Sequence, residues 1–207
     1  MSSLTIFGKW KKDISNNKGK IVLSILFLVF ALGLTMISGW YVDKATSTSV
    51  NDIILDHIPV VNLTFLFTWG IVLVIVIFLL YSFIYTPKKI HYSIGMLSLF
   101  LAIRSGFLIL THLKAPVGAF LPTEPGTLEI LTYSNDLFFS GHAGIPFLGF
   151  LIFKNKKVKY FMLVASIILA TTVLLMHLHY SIDVASAYFI TFGIYKLGNK
   201  LFGENQL

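Results

Sequence analysis

Apolar runs of about 20 residues recur along this chain, each enough to cross roughly 30 Å of hydrocarbon as a helix. That pattern leaves very little chain for a separate soluble domain. Over the 207 residues, 56% are hydrophobic and 12% charged, and a soluble domain of this length rarely carries so few charges. The fold class read from this is all-α: an integral membrane bundle of about six transmembrane helices. The 15 glycines and 19 phenylalanines suit close helix packing. There is no cysteine, which removes disulfides, a thiolate nucleophile and cysteine-ligated metal from consideration.

The runs set the organisation. Residues 1–20 carry Lys9, Lys11, Lys12, Lys18 and Lys20 around Phe7 and Trp10, and read as an interfacial cytoplasmic arm or a plain tail. The catalytic bundle is taken as 21–200, with a C-terminal tail at 201–207. Its spans are expected at about 21–42, 60–85, 92–113, 140–153, 160–176 and 181–197. The first run is too long for a signal-peptide core and lacks a small-x-small cleavage site, so it reads as a retained span. A connection from Lys114 to Asn135, punctuated by Pro116, Gly118, Pro122, Pro125 and Gly126, has the length of a binding loop or lid.

Charge gives the orientation. All but three of the 16 basic residues fall on the side of the N-terminus and of the second and fourth connections. Only Lys44, Lys114 and the intramembrane Arg104 do not. The positive-inside rule then makes both termini cytoplasmic and accounts for most of the net charge of +7 without nucleic acid. His57, the long loop, His142, His179 and Asp183 gather on the outer side. A multi-pass location in a bacterial plasma membrane, with an extracytoplasmic site, is the expectation.

His179-Tyr180-Ser181-Ile182-Asp183 opens the last span. Four residues apart on a helix, an imidazole and a carboxylate share one face, and the carboxylate would fix the ring tautomer. A structural pair anchoring the helix end is the plainer reading. Ser140-Gly141-His142 opens the fourth span with a favourable N-cap residue. Two histidines and an aspartate at one membrane face suit phosphoryl transfer: His179 as nucleophile, Asp183 orienting it, His142 as acid and then base. Arg104, the only arginine, is expensive within a span. It reads as a clamp on phosphate oxygens or as an ion pair with Asp136 or Asp183.

These residues carry a resemblance. Phe138-Phe139-Ser140-Gly141-His142, with His179-Tyr180-Ser181-Ile182-Asp183-Val184, resembles the two active-site motifs of the sphingomyelin synthase-like branch of the type 2 phosphatidic acid phosphatase superfamily. Asp136 matches an acidic position of that family, and Ala187-Tyr188 also matches. Arg104 with Thr111 resembles its third-span motif, and 52–59 vaguely resembles its first outer-loop motif. The resemblance implies a bundle of about six helices with an outward-facing site. It implies an enzyme that transfers or hydrolyses a lipid phosphate head group without metal or cofactor, with lipid donors and a lipid alcohol or water as partners. His142, His179 and Asp183 map onto the catalytic triad. Arg104, Asp136, Ser140, Gly141, Thr111 and Tyr180 are the substrate-binding candidates. Thr172-Val173 stand where the phosphatases carry Ser-Arg, and Ala143 replaces the threonine usual after the first histidine of the synthases.

Competing readings are a lipid phosphate phosphatase with the same residues, and a divalent ion held by His142, His179 and Asp183. A serine protease built on Ser140 and His179 is another, though the glycine pattern for it is missing. A non-catalytic membrane protein or small transporter completes the set. His177, two residues from His179, reads as a loop or interface residue, and Glu124 and Glu129 as solvated loop residues or selectors of a cationic head group.

Overall fold

The computed structural model describes residues 3–45, 48–121 and 137–202. They form seven helices: α1 (Ser3–Asn16), α2 (Lys18–Lys44), α3 (Thr64–Tyr85), α4 (Ile90–Leu110), α5 (Gly141–Ile152), α6 (Lys156–Leu175) and α7 (Ser181–Phe202). No strand occurs among the described residues; an isolated parallel bridge joins Thr48 to Leu113. Four helices, α2, α3, α4 with its leading turn, and α6, are long and apolar enough to cross a membrane. The chain is therefore a multi-pass membrane protein by the character of its helices. The six expected runs correspond to α2 to α7, with limits shifted by a few residues. α5 has only 12 residues, and α7 carries Asp183, Lys196 and Lys200.

α4 is the central element, with 61% of its apolar window buried. α2 lies along it through a stripe of small residues: Ala31, Thr35, Ser38 and Gly39 are buried, and Thr35 Oγ1 lies 3.2 Å from Ser105 Oγ. Small residues let two backbones approach where lipid supplies no hydrophobic drive for association. The outer face of α2 exposes Leu23, Leu26, Val29, Phe30 and Ile37, apolar side chains suited to lipid.

α5, α6 and α7 pack as a second group against α3 and α4. Their shared core holds Phe78, Phe100, Phe139, Leu148, Phe153, Met162 and Leu169. Gly144 permits a close approach: a Cβ there would lie 2.6 Å from the Phe100 ring and 2.9 Å from Thr191 Oγ1. Ser166 of α6 donates to the Ala143 carbonyl of α5 at 2.7 Å.

The two ends of the bundle differ. At one end α1 docks on the α3–α4 turn: the Trp10 indole donates to the Phe83 carbonyl at 2.9 Å. Tyr92 donates to Asn199 there. At the other end the connections are tied across one another. Val61 N–H bonds to the Leu175 carbonyl, Phe120 N–H to Met176, Lys114 N–H to Thr48 and Ser140 N–H to Asp183. The starts of α5 and α7 open at this tied end.

Candidate active site

The approach to α7 is shaped by how α6 stops. Leu178 N–H returns to the Val173 carbonyl and His177 N–H to Leu174, the paired bonds of a Schellman cap. That cap needs a left-handed residue, usually glycine; here it is His177, at φ 54°. The chain then turns through His179 and Tyr180 into α7. Asp183, third in α7, reaches back so that its Oδ2 accepts the Tyr180 N–H at 2.9 Å, the side-chain half of a capping box.

His179 is 95% buried, and its position differs from the sequence expectation in two respects. It precedes α7, so the turn, not a shared helix face, brings it to Asp183. The carboxylate is also not its nearest partner. Nδ1 lies 2.8 Å from the Leu137 carbonyl and 3.5 Å from Asp183 Oδ2. A carbonyl only accepts, so Nδ1 carries the proton and Nε2 keeps the lone pair. Asp183 is wholly buried and holds the start of the helix as well as facing the ring.

α5 begins beside it. Ser140, the N-cap residue, is tied through its N–H to the Asp183 carbonyl at 3.2 Å. Its own hydroxyl is buried and without a hydrogen-bond partner, as is Asp183 Oδ1. Buried polar atoms of this kind call for an explanation, and two of them flank the histidines. His142 stacks on Phe67 with centroids 4.1 Å apart, and its Nε2 lies 3.2 Å from the Phe67 carbonyl. Pro146 lies inside α5 and removes the helical bond that the His142 carbonyl would otherwise receive.

Arg104 closes the group. It is 93% buried, and its Nε donates to the Phe139 carbonyl at 2.9 Å. The guanidinium lies against Gly141: a Cβ there would stand 3.6 Å from Nε and 3.9 Å from Cζ. Segments of α4, α5 and the start of α7 thus meet at the tied end.

Two other candidates have hydroxyls engaged by backbone. Tyr180 donates to the Lys114 carbonyl at 2.8 Å and accepts from Val50 N–H at 3.1 Å, clasping two connections. Thr111 donates to the Phe107 carbonyl at 3.0 Å. Asp136 lies outside the described residues, as does the connection from 122 onward, with Glu124 and Glu129. Among the described residues no group of three or more His, Asp or Glu side chains is placed to hold a metal ion.

One residue with a large part in this geometry was missing from the candidates. Asp52, 93% buried, accepts from Ile54 and Leu55 N–H through Oδ1 and from Ser181 N–H through Oδ2 at 2.7 Å. It pins the first connection to the first residue of α7. Burial alone would raise its carboxyl pKa, but the hydrogen bonds from Ser181, Leu55 and Ile54 outweigh burial and hold it below the ordinary 3.8. The local turn at 52–55 is a sequence signal; the tie to Ser181, 129 residues away, leaves none.

Comparison with known proteins gives one finding. Residues 134–200 match the family model described as PAP2 superfamily C-terminal. The match covers about a third of the chain and supports the type 2 phosphatidic acid phosphatase superfamily. It contains both histidine motifs and says nothing of the sphingomyelin synthase-like branch. No curated protein and no solved structure matches the chain.

Proposed function

We propose that this protein is a membrane-embedded, metal-independent enzyme that moves a phosphate-linked head group between lipids through a covalent adduct on His179. The observation that carries the reading is the 2.8 Å bond from His179 Nδ1 to the Leu137 carbonyl, which leaves Nε2 as the nucleophile.

Nε2 attacks the phosphorus of a phospholipid donor, and the bond from phosphorus to the diacylglycerol oxygen breaks. His142 gives that oxygen a proton, and diacylglycerol leaves. The head group remains on His179 as a phosphodiester-type adduct. His142, now a base, takes the proton of an acceptor hydroxyl, whose oxygen attacks phosphorus and frees Nε2. The Phe67 carbonyl holds a proton on His142 Nε2, so Nδ1 is the nitrogen that exchanges the second proton. Arg104 neutralises charge on the phosphorus oxygens, and Asp183 stabilises the charged His179 ring. Ser140, Gly141, Thr111, Tyr180 and Asp136 complete the proposed substrate-binding set. The acceptor is a lipid alcohol in a sphingomyelin or ceramide phosphoethanolamine synthase-like reaction.

Hydrolysis is the second reading. The family model that matches residues 134–200 belongs to a phosphatase superfamily, and water replaces the lipid alcohol in the same scheme. The proposed setting is a bacterial plasma membrane with both termini cytoplasmic and the site on the outer face. The lysine distribution supports that orientation.

The test is turnover by purified protein in mixed micelles containing chelator. Short-chain phosphatidic acid reports phosphate release; phosphatidylcholine or phosphatidylethanolamine with ceramide or diacylglycerol reports a new head-group lipid. Transfer supports the first reading and phosphate release the second. Neither activity, together with solute flux that survives loss of His142 and His179, replaces both with a transporter.

A further inference from the structure

Beside the histidine site lies a cavity of about 360 Å³ that the proposed chemistry does not use, lined in part by Asn51, Asp52, Leu55, Asp56, Pro116 and His177. Its chemistry is one-sided. Asp52 is a fixed negative charge, held by three backbone N–H groups. Asp56 is an exposed carboxylate, and Asn51 adds an amide carbonyl. His177 is 94% buried, and its Nε2 has no hydrogen-bond partner.

That collection disfavours an anion, which two carboxylates would repel. A chelated metal ion is disfavoured because no group of three ligating side chains assembles among the described residues. Among the described residues, each polar side chain on the wall can accept a hydrogen bond, the histidine through its lone pair in the neutral ring, and only the Asn51 amide must also donate. A ligand with several N–H donors and a positive charge satisfies all of them. A quaternary ammonium has no N–H to give and is recognised on aromatic faces; among the described residues that line this cavity there is no Phe, Tyr or Trp.

We propose that this cavity binds a primary ammonium group, carried by a phospholipid head group or by a soluble amine. The head-group source rests on the transfer reading above and deepens it. His177 is two residues from His179, and Asp52 links the cavity wall to the first residue of α7. On the head-group reading, a donor with its phosphorus at His179 extends its amine into this cavity.

The experiment measures binding by calorimetry to full-length His179→Ala protein in micelles, so no turnover is needed. The probes are dihexanoyl phosphatidylethanolamine, dihexanoyl phosphatidylcholine, ethanolamine and choline. The primary amine is expected to bind at least about tenfold more tightly than its quaternary counterpart. Asp56→Asn should reduce that preference to within about threefold. His177→Asn should do the same, since asparagine tolerates the left-handed backbone. His177→Gly, which suits the cap better still, keeps the fold if His177→Asn does not. A preference shown by the lipid pair and not by the free amines assigns the cavity to a head group. The same preference with both pairs assigns it to soluble amines. Equal binding of primary and quaternary forms, or a preference unchanged in both variants, overturns the proposal. A selective cavity on an enzyme without turnover would defeat the transfer reading and leave this one standing.

Discussion

Between His179 and Leu137 a single 2.8 Å hydrogen bond decides which imidazole nitrogen is free. The carboxylate of Asp183 stands farther off, at 3.5 Å, and is shared with the Tyr180 N–H. The two contributions are separable by mutation. In serine hydrolase triads, where the aspartate alone fixes the tautomer, its change to asparagine costs about 10⁴ in kcat. Asp183→Asn is expected to cost much less here, about 10–10² in kcat, because the Leu137 carbonyl still holds the Nδ1 proton. Steady-state kinetics beside a melting curve checks this; a loss of about 10⁴ in a folded variant would return the tautomer to Asp183.

Arg104 should not tolerate lysine. Its Nε donates to the Phe139 carbonyl, and in the proposed mechanism the same planar guanidinium also meets the phosphate oxygens. A lysine cannot serve both. Arg104→Lys is expected to fold and to lose about 10²–10³ in kcat. Activity within about threefold of the parent would reduce Arg104 to a structural part.

Asp52 makes an acid-stability prediction. Its folded carboxyl titrates below the ordinary 3.8, so the stabilisation is fully present above the unfolded value. It is lost as pH falls through the lower folded value. The parent should therefore be more stable than Asp52→Asn from neutral pH down to about pH 5, by about 1–3 kcal/mol for the backbone donor left unpaired. The gap should begin to narrow as pH falls below about 4 and close through the lower folded value. A gap that stays constant to pH 3 would contradict the assignment.

Two glycines of α5 should respond differently to alanine. At Gly144 the new methyl meets the buried Phe100 ring at 2.6 Å, which overpacking penalises by about 1–3 kcal/mol. At Gly141 the nearest atom is Arg104 Nε, at 3.6 Å, an ordinary contact. Thermal melts should show Gly144→Ala well below the parent and Gly141→Ala near it.

The helices were legible because apolar length and the lysines between runs are carried by composition within each segment. His179 and Asp183 were legible as a pair because they are four residues apart, although the contact is made by a turn. What escaped the sequence was set by backbone atoms and distant segments. The Leu137 carbonyl has no side-chain signature. The partnership of Phe67 with His142 joins residues 75 positions apart, and Asp52 reaches Ser181 across 129. His177 took the left-handed cap position where glycine is usual, so no glycine marked the turn. Tyr180 sits inside a recognisable motif, yet its hydroxyl clasps Lys114 and Val50.

The most direct measurement is to find the adduct. Parent protein incubated with a phospholipid labelled in its head group, without added acceptor lipid, and quenched in alkali within the first turnover should retain label. Peptide mass spectrometry should place it on the segment containing His179, and phosphorus NMR on Nε2. Label retained elsewhere, or full turnover by His179→Ala, would contradict the account.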